Sequence, residues 1–182
     1  MTHGDTQESV GTVWVTSLGG PLILIPESAC YHWGGAPEDY DYPDHTGDYG
    51  RACAVNDYVG LIDVGPTKAL VLGDHPADTT FVPEHGILLR VIASDPDLEP
   101  TPTVSALLPD VEWEPGLSWE VEEPVILFDS AYDYPHVIDA NEERLRVNLA
   151  PARYDVQTAY VEIPDEAFLI LIRLAADNDA SR

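Results

Sequence analysis

Between Cys30 and Cys53 the chain reads CYHWGGAPEDYDYPDHTGDYGRAC, and from Glu38 to Asp48 it carries five carboxylates, two tyrosines and no Lys or Arg. An oxygen-rich stretch of this kind can coordinate a hard cation or receive the Arg and Lys side chains of a protein partner. The spacing argues against calcium. DYDYPDHTGD departs at several positions from the D-x-[DN]-x-[DN]-G run with a later Glu that wraps that ion, so no metal ligand is assigned. The interleaved aromatics favour a partner: Trp33, Tyr40, Tyr42 and Tyr49 offer rigid amphipathic contact area, and Asp39, Asp41, Asp44 and Asp48 offer acceptors. Gly, Pro and Asp content predicts a loop throughout, and a solvated loop without a partner is the plain alternative.

A second acidic feature runs from Val91 to Glu143, where 14 carboxylates stand without a single Lys or Arg. Within it, VEWEPGLSWEVEE alternates Val111, Trp113, Leu117, Trp119 and Val121 with Glu112, Glu114, Ser118, Glu120 and Glu122 around Pro115-Gly116. Period two predicts a hairpin with aromatics on the core face and glutamates toward solvent. Like charges across paired strands cost about a few tenths of a kcal/mol per pair, so stability alone would favour mixed signs there. Glu112, Glu114, Glu120 and Glu122 therefore form a second candidate docking surface, weighed against an acidic face that serves only solubility.

Catalytic constellations are poorly supported. His3, His32, His45, His75, His85 and His136 are scattered, without HExxH or a pair at metal-ligand spacing. Ser28 in PESA and Ser130 in FDSA lack a nucleophile elbow, and no Gly-rich phosphate loop or dinucleotide fingerprint is present. No catalytic residue and no cofactor are assigned; an enzyme of unknown class and a calcium-dependent or structural binding module remain as alternatives. Cys30 and Cys53 read as reduced thiols packed as small hydrophobes, with a bond closing the loop between them as the other possibility. Arg51, Lys68, Arg90, Arg144, Arg146, Arg153 and Arg173 lie in or beside expected strands and read as scaffold, pairing with carboxylates.

The whole chain of 182 residues sets 33 carboxylates against 8 Lys plus Arg, a formal charge of −25. Such a field repels nucleic acid and anionic lipid and attracts basic macromolecules. No stretch approaches a membrane span of about 18–20 apolar residues, and the polar start predicts a cytoplasmic protein. It is expected to be a monomer or weak dimer.

Sixteen prolines and 13 glycines break short apolar runs, so the elements that must position these side chains are mainly strands, with α+β character only at the margins. Strands are expected over 12–17, 22–25, 58–64, 68–72, 79–82, 87–93, 111–114, 117–122, 125–128, 144–149, 154–162 and 167–174. Short helices are expected at 27–33 and 104–108.

Three stretches recur in order. GGPLILIPESA is echoed by EEPVILFDSA, VGPTKALVLG by LAPARYDVQT, and VPEHGILLRVIASD by IPDEAFLILIRLAADN, which aligns Pro21 with Pro124, Pro66 with Pro151 and Arg90 with Arg173. Two related antiparallel halves follow, 12–94 and 111–177, joined by a Pro-rich linker at 95–110, with flexible ends at 1–11 and 178–182. Each half is too small to cover both faces of a sheet, so the halves are expected to pack face to face as one pseudo-two-fold β-sandwich. The insertion at about 30–53 belongs to the first half.

The tracts WVTSLGGPLILIPESA, HWGG, DYGRACAVNDYVGLIDVG, ALVLGDHPA, WEPGLSWEVEEPVILFDSA and LRVNLAPARYDVQTAYVE resemble the immunity protein 21 family of bacterial polymorphic toxin systems. The resemblance spans most of the chain and contains no catalytic signature. It implies a small cytoplasmic protein, encoded beside a toxin, that neutralises the toxin by binding it. Combined with the charge, it points to a basic toxin domain of nuclease type as the expected partner. One departure is APAR, where Ala152 stands in place of an expected Gly after the proline and puts a positive-φ turn in doubt.

Overall fold

The computed structural model describes residues 12–38, 47–73 and 75–177; the two ends expected to be flexible lie outside them. Among the described residues ten strands form: β1 (Leu22–Pro26), β2 (Val59–Val64), β3 (Thr67–Leu72), β4 (Asp78–Val82), β5 (Ile87–Ser94), β6 (Glu114–Val121), β7 (Val125–Asp129), β8 (Arg144–Val147), β9 (Ala152–Ile163) and β10 (Ala167–Ala176). Three short α-helices accompany them, α1 (Gly47–Cys53), α2 (Pro100–Leu107) and α3 (Tyr134–Asp139), with 3₁₀ turns at Glu27–His32 and Leu108–Asp110. The strands make two five-stranded antiparallel sheets, β2-β3-β1-β7-β8 and β4-β5-β10-β9-β6.

The sheets pack through one shared core: Leu22, Leu24, Leu70 and Leu72 of the first meet Leu88, Val156, Ile170, Ile172 and Trp119 of the second. Each outer face is covered as well. The Glu27–His32 turn, α1 and α3 lie over the first sheet, burying Ile23, Ile25, Cys30, Trp33, Ala52, Phe128 and Val137. α2 and the segment leading to β6 lie over the second, around Leu89, Val104, Leu169 and Leu171. Central strands buried on both faces need unbroken apolar runs, which is why LILIP of β1 and VILFD of β7 do not alternate.

Neither half forms a layer by itself, contrary to the face-to-face packing of halves expected above. Each sheet draws strands from both halves because the echoed segments join by hydrogen bonds across its centre. β1 and β7 pair about Leu24↔Leu127, and β5 and β10 pair so that Arg90 faces Ile170 and Ile87 faces Arg173. The second echo behaves differently: Pro66-Lys68-Val71 leads into β3 of the first sheet and Pro151-Arg153-Val156 into β9 of the second. Thr12–Ser17 contributes one antiparallel bridge, Val15↔Thr79, against β4. Ala152 opens β9 and is absent from the positive-φ residues, so an alanine is accommodated there.

Sequence periodicity missed two helices. α1 occupies the C-terminal end of the insertion expected to be loop throughout, where Asp48 and Arg51 bond one turn apart at 2.6 Å. α3 starts at Asp133, whose carboxylate accepts the amide N–H of His136, followed by Pro135 in the first turn.

Candidate functional site

The insertion divides into a scaffold part and a part beyond view. Trp33, expected at a contact surface, is 1% exposed and its indole Nε1 donates to the Ser130 carbonyl at 3.0 Å. This corrects the expectation: the ring fills the space between the first sheet and α3, where an indole with a satisfied N–H is favourable. Asp48 accepts the Gly34 amide at 2.7 Å and binds Arg51, whose guanidinium also donates to the Asp63 carbonyl at 2.8 Å. Asp48 thereby clamps the base of the insertion onto β2. Tyr49 is half-buried beside Gly20. Asp39, Tyr40, Asp41, Tyr42 and Asp44 lie outside the described residues.

The glutamates of VEWEPGLSWEVEE do not sit on a hairpin. Val111–Trp113 pack on the outer face of the second sheet, while Leu117, Trp119 and Val121 enter the core between the sheets. Between them the chain crosses the edge of β6 through a bulge, with register lost between Glu114 and Leu117. Pro115 is tolerated because β6 is an edge strand, and Gly116 is required because a Cβ there would overlap the Val156 carbonyl oxygen. The period-two reading holds for Leu117–Glu122, where Ser118, Glu120 and Glu122 face outward.

β6 brings most of these glutamates to one side of the molecule. Edge strands β2 and β6 lie alongside each other there, and two clefts open between them. One, of about 500 Å³, is lined by Asp57, Tyr58, Glu114 and Leu117 among others. The other, of about 970 Å³, takes in Leu61, Asp63, Lys68, Glu120, Glu122, Glu123 and Arg153. Glu120 pairs with Arg153 across the strands at 2.8 Å, and Lys68 with Asp63 at 2.7 Å. Ser28 bonds the Glu123 carboxylate through both amide and hydroxyl. Glu112, Glu114 and Glu122 are exposed, with no bonded side-chain partner among the described residues; Glu112 stands outside both clefts.

Every Lys and Arg among the described residues is tied to the scaffold. Besides those above, Arg90 donates to the carbonyls of Leu72, Gly73 and His75, and Arg144 to those of Val137 and Glu142. Arg146 grips Glu27 with two hydrogen bonds at 2.9–3.0 Å, and Arg173 bonds Gln157 while its guanidinium lies 4.3 Å over the Trp113 ring. The reading of the bases as scaffold fits these contacts, although Arg90, Arg144 and Arg173 bind carbonyls or an amide where carboxylates were expected. The hydrogen bonds from Arg146 and Lys68 hold Glu27 and Asp63 below the ordinary carboxylate range.

Cys30 and Cys53 are free thiols. Burial, with Glu27 and Glu123 nearby, pushes the Cys30 thiol up to about 12, so it stays protonated and unreactive as a buried small hydrophobe.

One surface escaped the sequence reading. Tyr160 and Phe168, on adjacent strands β9 and β10, stack with ring centroids 6.5 Å apart and are 45% and 41% exposed. Alternation assigns both to the core face of their strands, and nothing local in the sequence marks where the opposite sheet stops.

Fold and surface describe a two-sheet β protein whose surface carries a large surplus of carboxylates, with the exposed bases among the described residues paired to neighbouring groups. A model of the immunity protein 21 family matches residues 13–167, and the chain belongs to that family. The family implies a toxin as partner. Neither the curated proteins nor the solved structures give a match. Among the described residues, no helix is long and apolar enough to cross a membrane.

Proposed function

We propose that this immunity protein neutralises its cognate toxin by binding it directly and occluding a basic surface, without chemistry of its own, and that the toxin is a nuclease-type domain. The observation that carries this reading is the asymmetry of charge use. The described bases are all bonded to scaffold groups, so the field beyond the surface is that of the surplus carboxylates. Such a field accelerates encounter with a basic cleft and competes there with a polyanionic substrate. The β2–β6 clefts, with Glu114, Glu120 and Glu122, are the first contact surface; Asp39, Tyr40, Asp41, Tyr42 and Asp44 of the insertion are the second, anchored at its base by Asp48 and Tyr49.

The test is protection of cells co-expressing the toxin's C-terminal domain, together with association kinetics of the purified pair. Changing Glu114, Glu120 and Glu122 to Gln is expected to slow association about tenfold at low salt and to flatten its salt dependence. The Asp39, Asp41 and Asp44 to Asn variant is tested separately, and unchanged protection removes the loop from the interface. Association indifferent to both salt and the Glu-to-Gln changes would overturn the electrostatic reading.

A further inference from the structure

β9 and β10 have 12 and 10 residues, whereas no strand of the opposite sheet exceeds six. At about 3.3 Å per residue the long strands outrun the first sheet by several residues. On their core face the side chains run Leu174, Ile172, Ile170 and then Phe168 on β10, and Tyr154, Val156, Thr158 and then Tyr160 on β9. The opposite sheet ends near Leu72 and Gly73, whose carbonyls are held by Arg90, the β5 residue that faces Ile170. Past that level the strands of the opposite sheet do not extend among the described residues, and Tyr160 and Phe168 stand there half exposed.

We infer that this aromatic overhang is an anchor of the interface with the toxin, taking a surface segment that presents Arg or Lys side chains; the inference rests on the direct-binding reading above. Isolated exposed apolar side chains are ordinary on a soluble protein. This pair is different because it is stacked and borders a cleft. Thr158, two residues before Tyr160 on the same face, lines the 500 Å³ opening with Asp57, Tyr58 and Glu114. Glu162 sits directly opposite Phe168 in the register and is exposed, and Asp165 and Glu166 form the turn beyond it. Among the described residues no Lys or Arg reaches this end of the sheet exposed: Arg90 is fully buried, and Arg173 lies on the outer face against Trp113.

Flat aromatic faces ringed by carboxylates suit guanidinium and ammonium groups. The ring receives the cation or its aliphatic stem, and the carboxylates satisfy its donors. The same negative ring disfavours a second copy of this chain, which would bring its own carboxylates into contact. The acidic clefts would then govern encounter, and the aromatic pair would govern how long the complex lasts.

The experiment measures association and dissociation rates of the toxin's C-terminal domain on the full chain. Variants are Tyr160→Thr with Phe168→Thr, which place strand-favouring β-branched residues there, and Ile138→Ser as an exposed apolar control on α3, over the outer face of the other sheet. The double Thr variant is expected to dissociate about tenfold faster or more with little change in association, while Ile138→Ser behaves as wild type. Unchanged dissociation of a double variant that melts as a folded protein overturns this inference and leaves direct binding intact. Failure of the wild-type chain to bind the toxin domain defeats the underlying reading instead. Sedimentation showing a wild-type dimer that the double variant loses assigns the patch to a second copy and overturns the inference as well.

Discussion

Replacing Trp33 by Phe separates a core residue from a contact residue. In the folded chain the indole is 1% exposed, packed with Ile23, Ile25, Phe128 and Tyr134, and its Nε1 bonds the Ser130 carbonyl at 3.0 Å. Phenylalanine keeps most of the apolar ring but removes the donor and part of the volume. Loss of the hydrogen bond and the orphaned carbonyl together cost about 1–3 kcal/mol, with a small packing loss added. At about 2–4 °C per kcal/mol for a chain of this size, the melting temperature should fall by roughly 4–10 °C. Trp33→Ala adds a large cavity and should cost about 3–5 kcal/mol, enough to threaten folding altogether. The assays are chemical denaturation for stability and, for the folded Phe variant, dissociation of the toxin complex. A Trp33→Phe protein of unchanged stability that releases the toxin several-fold faster would refute the assignment of this ring to the core.

Other substitutions probe the positions that shape the clefts and the overhang. Gly116→Ala forces its Cβ onto the Val156 carbonyl oxygen, so it should destabilise by about 1–3 kcal/mol and loosen β6, seen as faster amide exchange along Glu114–Val121 than elsewhere. Arg90→Met removes the buried donor to three carbonyls and should lower stability by about 3 kcal/mol or more in urea titration, whereas Arg90→Lys recovers only part of the loss. For Cys30 the sign follows from its raised folded value of about 12. The unfolded thiol loses its proton from about pH 8.5 while the folded one keeps it, so stability is complete below that pH and falls above it, with a limiting slope of about 1.4 kcal/mol per pH unit. Cys30→Ala should flatten that slope between about pH 9 and 10 relative to the parent, the buried tyrosines contributing alike to both proteins, as read by denaturant unfolding across the range. Absence of a difference in slope would contradict the burial of the thiol.

The chain announces strands clearly and layers poorly. Unbroken apolar runs such as LILIP and VILFD locate β1 and β7, and a repeated sequence hints that they are partners. It does not reveal whether related segments meet edge to edge or face to face, since both arrangements bury the same residues; hydrogen-bond register decides, and register is a property of pairs. The same limit produced the expected hairpin at Pro115-Gly116. A Pro-Gly dipeptide between alternating runs reads as a turn, yet the identical residues serve a bulge on an edge strand, and only the position of Val156 distinguishes the two. Trp33 misled for another reason: surrounded by Gly, Asp and Tyr in sequence, its burial comes from Ser130 and Tyr134, about a hundred residues away. Glu114, Glu120 and Glu122 were legible as exposed carboxylates because alternation is local.

Charge placement ties these observations together. An excess of 25 negative charges strains a compact chain through self-repulsion, and a protein selected only for solubility could reach that end with a few carboxylates. Here, seven of the chain's eight bases bond particular carbonyls, carboxylates or an amide, so little positive charge is left to offset the surplus of carboxylates. Arg146 with Glu27 and Arg153 with Glu120 neutralise local pairs exposed to water, where each contributes only about 0–1 kcal/mol. Such weak stabilisation does not account for how completely the bases are used. Holding them in place keeps the clefts beside β6 uniformly acidic apart from those fixed pairs, and it leaves the Tyr160–Phe168 face without a competing cation of its own. A surface arranged in this way leaves room for an external cation beside the carboxylates, which is what the proposed docking of a basic toxin domain requires.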